Sequence, residues 1–412
     1  MKNKKHIVLL TTWFPPKIGV AVNRMQAFAK YIDKDNFDLT VITAGDKNMN
    51  TSDEGFKVIS VPEKLGFVSF PDFSKKTTTI WHYAKVAYKL FLLRILKDEG
   101  YFWEKNALQA LKTLNKKYSI DAVISSFSPL APHKVALLFK KNNPHVKWIA
   151  DMRDAMSGNK LVNTNQLKLY QSFEKNMQFY VDAITTVSSP LADHFKNMFG
   201  QNIVVEEIRN GYDHDFIFDY IHINQPKNGD ETFTVLYAGT FYKGRKPETF
   251  FDAFKVFIKK VQNPVKVVFL GTPANFDIPE EVKEFVVVEE KLPYNEAIHR
   301  MSQADLLLFI HPNTGEKGIF TGKLFDYLSV RKPILAICDK DDVAAELIGQ
   351  LKAGYIAAFD DAHEIGQKLT QAYEDWKNGR FVLPSQEKIN TLHRKFQVEK
   401  LNVLLHHLLN DK

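Results

Sequence analysis

The chain lacks the features that mark several common protein classes. Its 412 residues include one cysteine, Cys338, which excludes an intrachain disulfide framework and a zinc site built from cysteines. Neither the phosphate-binding pattern GxxxxGK followed by Ser or Thr nor the dinucleotide pattern GxGxxG occurs. No segment approaches the roughly 20 consecutive apolar residues that a membrane-spanning helix needs. We therefore expect neither a disulfide-rich secreted protein nor an integral membrane protein, and the simplest compartment is the reducing cytoplasm.

The amino terminus shares one feature with a signal peptide, because basic residues precede an apolar run in MKNKKHIVLLTTWFPP. That run is short, ends in Trp13-Phe14-Pro15-Pro16, and is followed by no small-residue cleavage site. These features favour a first β-strand over an export signal.

The composition is that of a globular protein with an excess of positive charge. Hydrophobic residues make up 45% of the chain and charged residues 25%, and the length suits two domains of roughly 200 residues each. The formal charge of +7 and the isoelectric point near 9.0 indicate anionic partners. Nucleotide diphosphates, acidic lipid headgroups and nucleic acid all fit, and charge alone does not choose among them.

Apolar strands alternate with helical patterns in the first third of the chain. Continuous apolar strands between helices are typical of a parallel sheet that is covered on both faces. The predicted strands are Ile7–Thr11, Leu39–Thr43, Ala122–Ser125 and Trp148–Ala150, with helices over Asn23–Ile32 and Pro132–Lys141.

The pattern lapses near residues 202–228, where polar residues and a Pro-Lys-Asn-Gly run predict a linker. It then restarts with strands at Val235–Ala238, Val265–Leu270, Leu306–Ile310 and Pro333–Ile337 and a helix over Glu248–Lys260. We predict an α/β fold of two Rossmann-like, doubly wound domains that face a central cleft. The predicted boundaries are 1–205, a linker at 206–230, a second domain at 231–385, and a carboxyl-terminal helical segment, 386–412, that returns to the first domain.

The most informative stretch is GIFTGKLFDYLSVRKPILAI, from Gly318 to Ile337. A loop with glycines runs into a short amphipathic helix, whose first N–H groups together with Lys323 can hold a diphosphate. Asp326, one turn into the helix, can accept hydrogen bonds from both hydroxyls of a ribose. The alternative is an ordinary helix start, such as any α/β protein contains.

Two other strand ends carry similar signals. After the first strand, two prolines stiffen a turn, Gly19 permits close approach of the backbone to a ligand, and Arg24 falls on the next helix. In the second half Gly239 closes a strand, and Lys243 and Arg245 follow in a flexible loop. These two cations can stabilise a departing diphosphate without a metal. A rigid turn in the first case and solvated loop charges in the second are the alternatives.

Charged and titratable residues also follow the strands near residues 125 and 150. In Asp151-Met152-Arg153-Asp154, two carboxylates bracket an arginine, which indicates either a functional group or an internal ion pair. His133 lies near an expected helix start, where a neutral imidazole can donate to a sugar hydroxyl, although a lone histidine is more often structural.

Three acidic clusters and one basic stretch bear on metals and partners. Asp33–Asp35, Asp213–Asp215 and the aspartates at 339–342 read as solvated turns, so we expect no metal site. Residues 75–117 mix lysines with aromatic and aliphatic side chains. This stretch suits a helix with a core face or an interfacial helix on anionic lipid at the inner face of the plasma membrane. No nucleic-acid module accompanies it, and we expect no nucleic-acid partner.

Taken in order, the motifs resemble those of family 4 glycosyltransferases, and the resemblance covers nearly the whole chain. The matching segments are the Phe14-Pro15-Pro16 opening with Gly19 and Arg24, the Ser-Ser and Pro segment before His133, residues 151–154, Val187-Ser188-Ser189-Pro190-Leu191, Arg209-Asn210-Gly211-Tyr212-Asp213, the loop 239–245 and residues 322–328. The family's enzymes are retaining and metal-independent, and they have the GT-B fold. The resemblance therefore implies transfer of a sugar from a nucleotide diphosphate, with UDP or GDP expected, to a glycan or lipid-linked acceptor in cell-surface polysaccharide synthesis, with no further cofactor.

The resemblance also implies roles for individual residues. Catalytic roles fall on His133 near the donor sugar and on Lys243, Arg245 and Lys323 at the diphosphate. Donor-binding roles fall on Gly19, Gly239, Thr240, Glu316, Gly322, Leu324 and Asp326, and acceptor-side roles on Arg24, Arg153 and Asp154.

The sequence departs from the family's pattern at three positions. Gly318 stands where the family has the first glutamate of a pair, so that Glu316 is the nearest replacement. Asp326 takes the place of the second glutamate, and Val20 takes the place of a second glycine after Gly19. A sugar-nucleotide epimerase and a catalytically silent sugar-nucleotide-binding protein on the same fold therefore remain alternatives.

Overall fold

The structure is a computed structural model, and it describes residues 4–45, 49–53, 55–62, 100–159, 162–200, 202–218, 220, 223, 225–241, 246–272, 276–311 and 317–410. The chain divides into two compact units. The first comprises Met1–Arg209 and Gln397–Lys412, and the second comprises Asn210–Phe396. Compared with the expected boundaries, the segment at 210–230 joins the second unit, and only the last part of the carboxyl-terminal segment joins the first.

Strands and helices alternate along both units. The strands are β1 (Lys5–Leu10), β2 (Phe37–Gly45), β3 (Met49–Asp53), β4 (Phe56–Pro62), β5 (Ala122–Phe127), β6 (Lys147–Met152), β7 (Ala183–Thr186), β8 (Val204–Glu207), β9 (Phe233–Ala238), β10 (Val265–Leu270), β11 (Val286–Glu289), β12 (Leu306–His311), β13 (Ile334–Cys338) and β14 (Gly354–Ala358). The helices are α1 (Val20–Tyr31), α2 (Tyr101–Lys117), α3 (Ala131–Asn142), α4 (Thr164–Met177), α5 (Ser189–Phe199), α6 (Glu248–Phe257), α7 (Tyr294–Ser302), α8 (Gly322–Ser329), α9 (Val343–Leu351), α10 (Ala362–Lys377), α11 (Gln386–Asn390) and α12 (Arg394–Asn410). A 3₁₀ helix covers Glu280–Phe285.

Each unit is built around one mainly parallel sheet. The first sheet has eight strands in the order β3-β4-β2-β1-β5-β6-β7-β8, and only the β3–β4 pair is antiparallel. The second has six parallel strands in the order β11-β10-β9-β12-β13-β14. The order reverses between β1 and β5 in the first sheet and between β9 and β12 in the second. Ligands of such sheets bind at these switch points, outside the carboxyl ends of the strands.

The central strands form because their sequences are continuously apolar. The last four residues of β1 are completely buried, and all six residues of β12 are buried. A parallel strand with helices on both faces can bury both sets of side chains, which favours runs of Val, Ile and Leu. The prediction of continuous apolar strands in a covered parallel sheet is confirmed in both units.

The predicted linker region is wrong at its start. Residues 204–207, which the polar pattern assigned to the linker region, form β8 at the edge of the first sheet, parallel to β7. Only Val205 of this strand is buried. An edge strand of four residues has too short an apolar pattern to distinguish it from a loop.

Helices α1 and α12 cover one face of the first sheet. Phe28 of α1 and Leu401 of α12 belong to one buried cluster with Ile7 of β1. Asn402 of α12 also accepts a hydrogen bond of 3.0 Å from the backbone N–H of Asp33. This packing places the end of the chain in the first unit.

The carboxyl-terminal segment forms two helices instead of the single helix that the sequence predicted. Residues 391–393 separate α11 from α12, because the backbone there pairs with another segment: Tyr212 and His393 form a parallel bridge, and the Arg394 N–H donates to the Tyr212 carbonyl at 3.0 Å. Phe396, which the apolar spacing placed against a domain surface, is 54% exposed.

The basic and aromatic stretch is described in part. Residues 75–99 lie outside the described residues, while Tyr101–Lys117 is α2, whose Trp103, Ala107 and Leu111 are completely buried in the first core. Of the helices that the structure describes, none combines the length and apolar character that a membrane crossing requires.

Candidate functional site

The switch point of the second unit brings the end of β9 against the start of α8. Gly239 has a φ of 109°, and its N–H donates to the Leu270 carbonyl at 2.8 Å. A Cβ atom added at Gly239 would lie 3.0 Å from Cε and Nζ of Lys323. The positive φ favours glycine here, and a larger residue would also have to displace the end of the Lys323 side chain.

Lys323 is held by an aromatic ring. Its Nζ lies 3.9 Å from the ring centroid of Tyr237 and donates to the Tyr237 hydroxyl at 2.7 Å. Tyr237 is completely buried and stacks on Phe241 with a centroid distance of 4.3 Å. A cation over an aromatic ring is stabilised without losing its charge. The ammonium group thus has a fixed place beside Gly239.

Asp326 lies one turn further along α8 and is partly buried. Its Oδ1 accepts a hydrogen bond of 2.8 Å from the hydroxyl of Tyr294. Burial raises the pKa of Asp326 to about 6, although the Tyr294 hydrogen bond and the charges of Arg394 and Lys323 act in the opposite direction. At neutral pH the carboxylate is ionised and can accept hydrogen bonds from a ligand.

The other face of α8 explains why Lys323 and Asp326 point away from the core. Leu324, Phe325 and Tyr327 are completely buried, and the Tyr327 hydroxyl accepts from the N–H of Ala238 at 2.7 Å. The Leu324 side chain belongs to the core, and the donor-binding role expected of this residue stays a prediction for its backbone at the helix start. Gly322 begins the helix, and Thr240 is exposed at the end of β9.

Gly318, which stands where the family has a glutamate, lies in the segment before α8. Gly318 has a φ of 86°, and its N–H donates to Oδ1 of Asp342 at 2.8 Å. The same oxygen accepts from the Val343 N–H at 2.8 Å and caps α9. Gly318 therefore serves a turn fixed by a helix cap. Three expected site residues, Lys243, Arg245 and Glu316, lie outside the described residues.

A histidine that sequence reasoning missed anchors the end of α8. Phe216 donates its N–H to Nδ1 of His214, so Nε2 carries the proton and donates to Oγ of Ser329 at 2.8 Å. The Ser329 hydroxyl in turn donates to the Asp326 carbonyl at 2.6 Å. Burial is the main cause that lowers the pKa of His214 to about 4, and the ring is neutral.

The glycine of the Asn-Gly turn at 210–213 is needed for close packing. A Cβ atom at Gly211 would lie 2.3 Å from the Leu392 carbonyl oxygen. The same turn is bonded to the Arg394 N–H through the Tyr212 carbonyl. This motif thus positions the loop that carries His214.

The switch point of the first unit contains a cavity of about 510 Å³. It lies beyond the ends of β1, β5 and β6, and its walls include two aromatic side chains and one arginine. The lining residues are Trp13, Ile18, Gly19, Val20, Ala21, Ser128, Pro129, Arg153, Gln166 and Tyr170.

Arg153 borders this cavity, and its expected acceptor-side role stays a prediction. Its Nε donates to the Phe127 carbonyl at 2.6 Å and its Nη2 to the Ser128 carbonyl at 3.1 Å. Burial lowers the pKa of Arg153, and the charges of Asp154 and Asp151 oppose that shift. Asp154 follows it in the chain and is partly exposed.

Arg24 has a different place from the one expected. Its side chain is 2% exposed, and its Nη2 lies 2.7 Å from Oδ1 of Asp151, which is completely buried. Arg24 Nη1 donates to the Ile208 carbonyl at 2.7 Å, and Thr185 donates to Asp151 at 2.8 Å. Burial raises the pKa of Asp151, but the charge and hydrogen bonds of Arg24 outweigh it and lower the pKa. This is an internal ion pair, which corrects the acceptor-side role of Arg24.

His133 also lies in the core. It is completely buried, its Nδ1 is 2.7 Å from Oγ of Ser125, and its Nε2 is 3.0 Å from Sδ of Met152. Burial lowers the pKa of His133 to about 3, which keeps the ring neutral. The ring stacks on Phe127 and Phe173. The expectation that His133 faces a sugar is corrected: it is a core histidine.

No protein-family model matches the chain, and no curated protein matches it. Solved structures do. The chain is similar to sucrose-phosphate synthase from Thermosynechococcus elongatus, with a TM-score of 0.63, 13% identity, and coverage of 99% of this chain and 100% of that chain. It is also similar to Alr3699/HepE from Anabaena in complex with UDP and glucose, with a TM-score of 0.57, 13% identity, and coverage of 98% and 99%.

A third similar structure belongs to a different class of enzyme. A putative UDP-N-acetylglucosamine 2-epimerase from Listeria monocytogenes matches with a TM-score of 0.53, 9% identity, and coverage of 100% of this chain and 98% of that chain. Together these likenesses show the fold: two Rossmann-like domains in tandem, the GT-B fold of glycosyltransferases. The predicted fold class is confirmed.

Within the described ranges, no group of three or more His, Cys, Asp or Glu side chains is arranged to hold a metal ion. A metal-independent reaction stays a prediction.

Proposed function

We propose that the chain is a retaining glycosyltransferase that moves a sugar from a nucleotide diphosphate to a glycan or lipid-linked acceptor. The observation that carries this proposal is the position of two side chains of α8: Lys323 lies against Gly239, and Asp326 follows one turn later. A fixed cation and a carboxylate one turn apart suit the two polar parts of a nucleotide diphosphate.

The donor would bind along the start of α8. The first N–H groups of the helix and the Lys323 ammonium donate hydrogen bonds to the diphosphate oxygens, and the Asp326 carboxylate accepts hydrogen bonds from ribose hydroxyls. Lys243 and Arg245 are proposed as further cations in the same role. UDP or GDP is the proposed nucleotide, and the UDP and glucose in the Anabaena structure's description support the UDP form.

The reaction would need little covalent chemistry from the protein. The bond between the anomeric carbon and the diphosphate oxygen breaks, and the acceptor oxygen bonds to that carbon on the same face of the sugar. The acceptor's proton passes to the departing diphosphate. Fixed cations stabilise the negative charge that develops on the leaving group. Arg153 and Asp154 are proposed for the acceptor side, whereas His133 and Arg24 serve the core.

The same proposal places the enzyme in the cytoplasm, in cell-surface polysaccharide synthesis, as the sequence resemblance implies. The charge of +7 is consistent with acidic substrates or an anionic membrane surface.

Two observations support alternative functions. The Listeria epimerase has the same fold, so an epimerase would use the same donor site and need no acceptor. Gly318 in place of the family's glutamate is consistent with a protein that binds sugar nucleotides without turnover.

The test is a panel of UDP-, GDP- and dTDP-sugars, followed first by thermal unfolding and then by NMR of the products. A ligand at ~100 times its dissociation constant adds about 2.7 kcal/mol to the free energy of unfolding. A stabilising donor whose sugar is transferred with retained anomeric configuration supports the proposal. A stabilising donor whose sugar is only epimerised supports the first alternative, and binding with no product from any acceptor supports the second.

A further inference from the structure

One arginine, Arg153, borders the cavity of the first unit. Arg153 makes two hydrogen bonds, both to backbone carbonyls, and within the described part of the chain it takes part in no ion pair. Arg24, on α1 of the same unit, is instead neutralised by Asp151. A guanidinium that is partly removed from water and faces a cavity favours an anion there.

The two hydrogen bonds of Arg153 fix the orientation of its guanidinium. Nε and Nη2, which lie on one edge of the group, hold the carbonyls of Phe127 and Ser128. Within the described part of the chain, Nη1 makes no hydrogen bond, so its donors can meet a ligand. A guanidinium held in this way loses little further freedom when it binds a carboxylate or phosphate.

Other groups around the cavity also supply donors. Gln166 accepts a hydrogen bond from Asn163 through Oε1 at 2.7 Å, which directs its amide N–H groups elsewhere. Gly19, Val20 and Ala21 line the cavity at the start of α1, whose first turn contains no acidic residue. Their N–H groups add to the positive potential of Arg153.

The aromatic walls add a preference for a ring. Trp13 and Tyr170 border the cavity, and Tyr170 is held edge-on against Phe127 at a centroid distance of 5.5 Å. A cavity of about 510 Å³ with aromatic walls and a few fixed donors suits a sugar-sized ligand that carries one charged group.

We propose that this cavity binds an acidic acceptor, a sugar that carries a carboxylate or a phosphate, with the acidic group on Arg153. The inference rests on the proposed sugar transfer for its role as an acceptor site, and it narrows the acceptor from any glycan to an anionic one. The carboxylate and the phosphate share the same chemistry, and the probes below separate them.

The experiment uses the full chain and ligand-observed NMR, which detects weak binding. The probes are glucuronic acid, glucose 1-phosphate, glucose as the neutral sugar, and UDP. The variants are Arg153→Lys, Arg153→Gln and, as a matched control, Lys175→Gln, which removes an exposed cation from α4 of the same unit. We expect at least one acidic probe to bind more tightly than glucose. We expect Arg153→Gln to weaken that binding by roughly tenfold or more, as for a lost charge-assisted hydrogen bond, Arg153→Lys to retain part of it, and Lys175→Gln to leave it unchanged.

Several outcomes overturn the proposal. One is that glucose and both acidic probes bind the parent chain with equal affinity. Another is that Arg153→Gln binds the acidic probe as tightly as the parent chain does. If Arg153→Gln weakens UDP but neither acidic sugar, the cavity serves the donor diphosphate and the acceptor assignment is wrong. If the chain binds acidic probes through Arg153 but never binds UDP, the anion site stands and the proposed transferase function fails.

Arg153 also holds two loop carbonyls, so its variants could disturb the local fold. Circular dichroism and thermal unfolding identify that outcome. In that case Gln166→Leu and Trp13→Ala, which leave Arg153 in place, provide the test: we expect both to weaken the acidic probes, and unchanged binding in both contradicts the proposal.

Discussion

The buried Arg24–Asp151 pair of the first unit differs from Lys323 and Asp326 of the second unit in what neutralises each charge. In the first, Arg24 and Asp151 neutralise each other in the interior. In the second, Lys323 rests on Tyr237, and Asp326 accepts its hydrogen bond from Tyr294. A charge paired with an opposite charge is satisfied by the protein, whereas a charge held by a neutral hydroxyl keeps its field for a ligand. The Arg24–Asp151 pair is therefore structural, whereas Lys323 and Asp326 are each held by the hydroxyl of a tyrosine.

Removing one member of the buried pair gives the largest expected effect. Arg24→Met leaves the Asp151 carboxylate buried without its cation, and such a change costs about 3–5 kcal/mol in the free energy of unfolding. Urea unfolding measures it. Lys5→Met, which removes an exposed ion pair with Asp121 in the same unit, is the control and costs less than about 1 kcal/mol. Equal losses from the two variants would show that Arg24 and Asp151 are not a structural pair.

Lys323→Met tests the opposite case. It removes a cation that has a tyrosine partner, so we expect little change in stability and a loss of UDP affinity of roughly 10- to 100-fold, the range for a hydrogen bond to a charged group. Calorimetric titration measures the affinity. Lys388→Met, an exposed lysine of α11, is the matched control. A variant that unfolds more easily but binds UDP normally would place Lys323 among the structural charges.

Asp326→Asn should change stability and UDP affinity in opposite directions. Because the folded pKa of Asp326 is raised to about 6, its ionised form is less favourable in the folded protein than in the unfolded chain above that pH. We expect Asn to increase the free energy of unfolding at pH 7 and to have no such effect below about pH 3, where the carboxyl is protonated in both the folded and the unfolded state. UDP affinity should fall in the same variant. Glu387→Gln on α11 is the control for a lost surface carboxylate.

Gly239→Ala tests the contact between the strand end and Lys323. The added Cβ would lie 3.0 Å from Nζ at a φ of 109°, so we expect a loss of about 1 kcal/mol or more in stability together with weaker UDP binding. Gly229→Ala adds a methyl group where no atom lies within 4 Å and should leave both properties unchanged. Normal UDP binding by Gly239→Ala would show that the lysine does not need this place.

The smallest expected effect comes from Tyr294→Phe. The hydroxyl lowers the pKa of Asp326 by its hydrogen bond, so its loss should raise that pKa further. As the pH is lowered, the UDP affinity of the variant should therefore begin to fall at a higher pH than that of the parent chain. At pH 7 the two affinities should differ by less than tenfold. Titrations at several pH values measure the shift, and Asp326→Asn, which lacks the titrating group, corrects for protonation of UDP itself.

The sequence predicted the central strands of both sheets because these strands are continuous apolar runs, but it missed the outer strands β3, β4, β7, β8, β11 and β14. It also placed Gly239 at the end of one strand and Lys323 and Asp326 at a helix start, but not the contact between Gly239 and Lys323. It did not show which charged residue turns inward, because that depends on contacts far along the chain. Arg24 meets Asp151 only after folding, and Tyr294 reaches Asp326 from a separate helix. His133 shows the same limit, because its burial depends on aromatic side chains from other elements.

The most direct measurement is a calorimetric titration of UDP into the full chain and into Lys323→Met and Asp326→Asn. The account predicts saturable binding to the parent chain and markedly weaker binding to each variant, with both variants folded. Binding that is unchanged in both variants, or no binding of UDP or GDP to a folded parent chain, would contradict the assignment of the second unit as a nucleotide-diphosphate site.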